Sequence, residues 1–335
     1  MDKLRIGIIG LGVGEKHIEG YQKHPNCEVV ALCDFSEEKL RKVREEYPRI
    51  YTTKSADEII DNDDIDIVSI ASFDNYHFEQ AAKSLQKNKH IFVEKPLCLF
   101  REEAEEIKKI LDKKPDLKIS LNLNLRTSPL FKWLKKSINS GELGQIFYIE
   151  GDYLWGRVNK LTDGWRKEMH FYSIIHGAAV HMVDLLIWLT GMVPVEVEGY
   201  GNQISTHGSD LHYNDFAVFV LKFDNGMVAK ISASGGCVHP HFHKVEVWGT
   251  KQTFVHDING TSLITSCDFR QKPLEIHKDY PGKQKGEIIY SFIDSILSNV
   301  SQALVPPEDV FKTMSVCFAA EEAIKKGRPV TIKYI

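Results

Sequence analysis

What is scarce in this chain narrows its class before anything else does. Cysteine occurs only six times in 335 residues, at 27, 33, 98, 237, 267 and 317, with no C-x-x-C spacing. That argues against a disulfide scaffold, leaves no zinc site made from cysteine alone, and suits a reducing compartment. No lysine or arginine tract is present, and 42 basic residues against 46 acidic ones give a net charge of −4. Nucleic-acid binding wants a basic stripe, so it is not expected as a main role. No apolar run approaches bilayer-spanning length, so no membrane association is expected. The opening "MDKLRIGIIG" passes straight into a strand pattern without a signal-peptide layout, and a cytoplasmic location is the expectation. Internal repeats and low-complexity stretches are also missing. What is there is 43% hydrophobic and 26% charged residues, a soluble globular profile long enough for two domains.

The first part of the chain alternates short apolar runs with amphipathic stretches. "LRIGIIG", "CEVVALCD", "IDIVSIAS", "HIFVE" and "LKISLNLN" read as strands buried on both faces, as in a parallel sheet. Between them "DFSEEKLRKVREEYP", with Ser36 as N-cap and Pro48 as a stop, and "HFEQAAKSLQKNK" and "REEAEEIKKILDKK" read as helices. Alternating strands and helices predict a doubly wound Rossmann-type sheet over 1–124. Beyond it the pattern changes. Strand-like runs dominate, with a hairpin signal at Asp224-Asn225-Gly226, and predict a large open, mostly antiparallel sheet packed on helices in an α+β domain over 125–335.

Two motifs in the first domain carry chemistry. "IGIIGLGVGEKH" follows the first strand and opens a helix. Gly10 and Gly12 allow a tight turn and the close approach of a pyrophosphate, and the helix N-terminus offers N–H donors. The usual spacing is G-x-G-x-x-G, but here Gly14 arrives one residue early, with Val13 beside it. Asp34 closes the next strand, where a carboxylate accepts hydrogen bonds from ribose hydroxyls. No arginine follows it to take a 2′-phosphate, so NAD is expected over NADP. The second motif is "VEKP", in which Glu94 and Lys95 end a strand and Pro96 stops it. A solvated salt bridge and a lysine aimed into a site both fit that spacing.

The whole chain resembles the Gfo/Idh/MocA family of NAD(P)-dependent oxidoreductases. The resemblance rests on "GLGVGEKH" with Asp34, on "IASFDNYHFEQAAKSLQKNKHIFVEKPL", on "NLRTSP", on "GWR", and on "HMVDLLIWLTG". It implies a catalytic role for Lys95, and a catalytic histidine at His181 that takes the alcohol proton as hydride leaves to the nicotinamide. Asp184, one face further along the same predicted helix, is expected to be structural. Many members carry an aspartate four residues before that histidine; here the position is Gly177. His176 lies about 100° round the helix and does not substitute for it. Ser72, Asn75, His77, Glu94, Lys95 itself, Arg126, Trp165 and Arg166 are further candidates for cofactor contact, and Asn124 and Tyr153 for substrate contact beside Lys95 and His181, with Trp155 and Arg157 near them. His239, His241 and His243 of "HPHFH" are expected on the sheet surface or an interface rather than around a metal, and no metal is expected.

The expected function is reversible hydride transfer between NAD and a secondary alcohol or ketone of a cyclic polyol or sugar, free or nucleotide-linked. A homodimer or homotetramer formed through the C-terminal sheet is expected. Two alternatives from other classes are an NAD-recycling, glycosidase-like enzyme and a redox-silent sensor of NAD and a ligand.

Overall fold

A computed structural model describes residues 3–281, 286–298 and 302–335. The chain divides into two compact units. One comprises the residues up to Leu123, the described part of 284–311, and Ile335; the other runs from Asn124 to 283 and from Lys312 to Tyr334.

The first unit is built on β1 (Leu4–Ile9), β2 (Cys27–Cys33), β3 (Tyr51–Thr53), β4 (Ile67–Ile70), β5 (His90–Val93) and β6 (Ile119–Leu121). All six are parallel, in the order β3-β2-β1-β4-β5-β6. The helices α1 (Glu15–Gln22), α2 (Glu37–Glu46), α3 (Ala56–Ile60), α4 (His77–Gln86) and α5 (Arg101–Lys113) make the crossovers. Covering the sheet on both sides explains why β4, for example, is buried at every position rather than alternately. Chain order reverses between β1 and β4, which is where a doubly wound sheet opens a crevice at its carboxyl edge. A late segment completes this unit. In the helix Glu287–Leu297, Ile289 comes so close to Gly20 that a β-carbon there would meet it at 2.9 Å, and Phe292 packs on Phe92 with ring centroids 5.8 Å apart.

The second unit holds β7 (Ile146–Leu154), β8 (Glu196–Asn202), β9 (Phe216–Lys222), β10 (Val228–Ser234), β11 (Phe242–Gly249), β12 (Thr253–Asp257), β13 (Gly260–Ile264), β14 (Leu274–Glu275) and β15 (Val330–Thr331). Among the described residues they form one sheet in the order β14-β13-β12-β11-β7-β10-β9-β8-β15, antiparallel except where β7 meets β10. The predicted hairpin joins β9 to β10, and Gly226 takes the left-handed conformation (φ +84°) its turn requires. The helices are α6 (Pro129–Asn139), α7 (Asn159–Thr162) and α8 (Val180–Thr190), and the helix Pro307–Lys326 follows late in the chain. Residue parity sorts the sheet's two faces. Ile149, Gly151 and Tyr153 of β7 point inward, and Gly151 lets α8 lie close: a β-carbon there would stand 2.7 Å from Met182 Cε. Tyr148, Glu150 and Asp152 point the other way, into a lattice with Lys230 and Lys244. In it Glu150 meets Lys244 at 2.6 Å and Asp152 meets Lys230 at 2.6 Å. No helix among the described residues is long and apolar enough to cross a membrane.

Candidate active site

In the first unit the glycine loop lies at the carboxyl end of β1. Gly10 has φ +91°, and a β-carbon on it would sit 2.3 Å from the Ala71 carbonyl oxygen. One on Gly14 would sit 2.1 Å from the Gly10 carbonyl oxygen. These two glycines are therefore required by the protein's own packing. Gly12 differs: a β-carbon there would meet only Lys39 Nζ, at 3.9 Å, so its backbone is open to an approaching group. Gly14 is the N-cap of α1, and Val13 is exposed beside it. A backbone open at Gly12 next to a helix start fits a dinucleotide's pyrophosphate.

Asp34 is nearly sealed. It accepts the Leu11 N–H at 2.7 Å, the Ser36 N–H at 2.8 Å and Lys39 Nζ at 3.0 Å. The carboxylate is thus oriented before any ribose arrives, and a lysine partly offsets its charge. No arginine follows Asp34 in the sequence, but the first turn of α2 brings Lys39 back over the strand end. The sequence reading missed Phe35 and Phe73. These follow β2 and β4, stand 5.4 Å apart by ring centroid, and offer aromatic faces beside Asp34 suited to a flat base.

The turn after β5 resolves the Glu94-Lys95 question in part. Glu94 is buried, and its Oε1 accepts from His17 Nε2 at 3.1 Å and Asn122 Nδ2 at 2.6 Å. His17 Nδ1 is in turn 3.0 Å from Ser69 Oγ. Burial alone raises the Glu94 pKa, but the His17 and Asn122 hydrogen bonds and the charge of Lys95 outweigh it and hold the carboxyl below its ordinary range. Glu94 is therefore an anchor, and the solvated-turn reading does not describe it. Lys95 follows, half-buried, before a cis bond to Pro96. His77 is fully buried, with Nδ1 2.6 Å from the Pro96 carbonyl and Nε2 3.2 Å from the Ser72 carbonyl. It ties the loop after β4 to the lysine turn. Ser72 donates to Gln80 at 2.7 Å, and Asn75 is exposed.

In the second unit, the predicted helix around His181 is not regular. Ile175–Ala179 form a turn of π-helix before α8 begins at Val180. The wider turn changes the face-counting that sequence spacing assumed, and such turns recur at functional sites. The space beside Gly177 is occupied: a β-carbon there would stand 2.7 Å from the Tyr172 hydroxyl. Tyr172 thus fills the space beside Gly177. His176 is fully buried between Phe171 and Phe318; neither ring nitrogen has a hydrogen-bond partner, and burial pushes its pKa down to about 3. His181, 7% exposed, stacks on Tyr153 with centroids 5.7 Å apart and planes 9° from parallel. Asp184, three residues on, accepts a two-pronged hydrogen bond from Arg126 at 3.0 and 2.5 Å, and Thr313 donates to it at 3.3 Å. Arg126, expected at the cofactor, is 1% exposed and paired with Asp184 within this unit.

The "HPHFH" histidines depart in part from expectation. His243 is 8% exposed on the inner face of β11, directly across from Tyr153 in the β11–β7 register. The His243 and His241 rings lie 4.8 and 5.1 Å from Tyr153, and the His243 ring is 6.4 Å from that of His181. His243 is not a sheet-surface residue, because β11 starts only at Phe242 and turns residue 243 inward, whereas His241 is exposed as expected and His239 half-buried. The sequence signal was the alternation itself, but parity does not say which face is the core. Arg166 lies between two rings, 4.4 Å from Trp165 and 5.1 Å from Trp155, and Asn124 is exposed at the start of this unit.

Comparison with known proteins gives these residues a context. Residues 4–122 match a family described as "Oxidoreductase family, NAD-binding Rossmann fold", and residues 131–255 match "GFO/IDH/MocA C-terminal domain". The chain is 24% identical over 351 residues to myo-inositol 2-dehydrogenase of Thermotoga maritima, covering 99% of each chain. It is 22% identical over 337 residues to scyllo-inositol 2-dehydrogenase (NAD(+)) of Bacillus subtilis, covering 98% of this chain and 96% of that one. Levoglucosan dehydrogenase in complex with NADH and levoglucosan superposes with a TM-score of 0.87 over the full length of both chains, at 19% identity; this shows a shared fold.

Proposed function

The chain belongs to the GFO/IDH/MocA family of NAD-binding oxidoreductases, and from that premise we propose that it oxidises a secondary alcohol of a cyclic polyol or sugar, and reduces the matching ketone, with NAD. NAD, when bound, supplies the hydride acceptor. Gly12, the start of α1 and Asp34 would hold its phosphates and ribose, and Phe35 and Phe73 would flank its base. In this reading the first unit is the dinucleotide domain and the second the substrate domain.

Lys95 supplies positive charge to the substrate oxygen as its proton leaves, which stabilises the developing alkoxide. His181 takes that proton, and the neutral imidazole form suits it to the task near pH 7. The observation that carries the reading is the setting of His181. An imidazole stacked on Tyr153 and neighboured by the imidazole of His243 offers hydrogen bonds and an aromatic face at once, which is how polyhydroxylated rings are recognised. Relatives bearing the names of inositol dehydrogenases support the same class.

The outer face of the large sheet, where Phe147 and Trp248 are exposed beside the Glu150–Lys244 lattice, is the surface we assign to homo-oligomer formation. Six unpaired cysteines agree with a cytoplasmic setting.

The test is NADH formation at 340 nm with myo-inositol, scyllo-inositol, levoglucosan and a panel of sugars and sugar nucleotides. Turnover of one group is expected. Absence of turnover across the panel, in protein that binds NADH by fluorescence, would sink the dehydrogenase reading for these substrates.

A further inference from the structure

His243 has a protonation state that its hydrogen bonds dictate. The Tyr280 hydroxyl oxygen accepts the His243 backbone N–H at 3.1 Å, and the same hydroxyl lies against His243 Nδ1. Burial raises the Tyr280 pKa, so the phenol keeps its proton. A phenol has one proton to give, and among the described residues Nδ1 is the one acceptor within reach of it, so the proton goes to Nδ1. Nδ1 is therefore the bare nitrogen. Burial, with His241 and His256 close by, pushes the His243 pKa down to about 3, so the ring is neutral near pH 7. A neutral imidazole with a bare Nδ1 carries its hydrogen on Nε2.

That hydrogen has no acceptor among the described residues. His256 shows the contrast. It belongs to the same aromatic group, with its ring 4.5 Å from Tyr280, but its Nδ1 pairs with Thr261 at 2.7 Å and its Nε2 is sealed without a partner. His243 instead faces Tyr153, His241 and the candidate base His181 itself.

We propose, resting on the dehydrogenase reading above, that His243 is a substrate-specificity residue: a fixed Nε2–H donor to an oxygen on a carbon neighbouring the one oxidised, locked in that tautomer by Tyr280. The substrate class this implies is a ring with adjacent oxygens, one meeting His181 and the next meeting His243. Tyr280 touches no substrate in this scheme; it is a positioning residue that acts through the imidazole. A purely structural role, stapling the segment around Tyr280 to β11, would use the Nδ1 contact and leave Nε2 without work.

Two measurements on the full chain decide between these. The first is a long-range proton–nitrogen correlation spectrum of ¹⁵N-histidine protein, with His243→Phe used for assignment. The neutral Nε2–H pattern is expected at pH 7, collapsing toward a mixture in Tyr280→Phe. An Nδ1–H or imidazolium pattern in the wild type overturns the proposal. The second uses whichever of myo-inositol, scyllo-inositol or levoglucosan the wild type oxidises. His243→Phe should raise KM by about 10-fold or more while kcat falls less, the loss of one hydrogen bond being about a factor of ten. His243→Gln, which keeps an N–H donor, should recover part of it, and NADH binding by fluorescence should not move. An unchanged KM in His243→Phe overturns the proposal while leaving the dehydrogenase reading intact. If the wild type oxidises none of the three, that reading fails for these alcohols, and the Nε2 resonance is then followed as each is added to the NADH-bound protein. A shift sustains the donor role, and no shift with any of them overturns it.

Discussion

The two units build their polar sites by different means. In the first, the groups that fit a cofactor are backbone: an open Gly12, the start of a helix, and a carboxylate whose place is set by two main-chain N–H groups. In the second, they are side chains from separate strands and helices, among them His243, pushed neutral by burial. A backbone site serves a cofactor common to many enzymes and tolerates little change. A side-chain site can be refitted one residue at a time, which is where differences in substrate would be expected to lie.

The sharpest way to break this contrast is at the charge pair beneath the histidine helix. Asp184→Asn leaves Arg126 buried without its counter-charge, and unfolding by urea should show a loss of about 3–5 kcal/mol. A loss under 1 kcal/mol would mean that the platform of the second unit does not depend on the pair. Next is Lys95→Ala, expected to lower kcat about 10²-fold or more, with NADH affinity changed only a few-fold. If NADH binding collapses instead, Lys95 belongs to the cofactor site and the division drawn between the units is wrong.

Gly177→Ala tests whether Tyr172 truly fills its space. The added methyl meets the phenol at 2.7 Å within packed surroundings, and about 1–3 kcal/mol of destabilisation is expected. Gly177→Ala with Tyr172→Phe should recover part of it, and equal stability of the single variant and wild type would show that Tyr172 moves freely. The smallest effect concerns pH. His176 has its pKa lowered in the folded protein, so the unfolded chain takes up the proton first as pH falls below about 6.5, and stability declines from there toward pH 3. This one group should remove about 1 kcal/mol between pH 6.5 and 5.5. His176→Leu should flatten the urea-midpoint profile in that window, and an unaltered slope would show that the ring is already protonated or hydrated there.

How much of this was legible in the sequence follows the same division. The glycine loop, Asp34 and the parallel sheet were readable because each rests on residues a few positions apart. The return of the helix Glu287–Leu297 to the first unit was not, since its amphipathic pattern does not say which surface it covers. The π-turn at 175–179 was invisible because hydrophobic spacing assumes 3.6 residues per turn. Tyr280 and His243 are 37 residues apart, and no local pattern announces that a phenol will settle an imidazole's tautomer. Lys39 is the instructive case: it is only five residues from Asp34, but an arginine directly after the acid is the usual signal, and a lysine returned by the following helix does not show in it.

The guanidinium–carboxylate fork between Arg126 and Asp184 has a bearing on redesign. It holds the segment at the start of the second unit to the histidine helix with two parallel bonds that an ammonium cannot reproduce, so even Arg126→Lys is not a conservative change. His243, by contrast, comes from β11, with His241 just before it, and both rings lie against Tyr153. A library confined to those two positions would vary the surroundings of Tyr153 while the platform under the proposed base stays as it is.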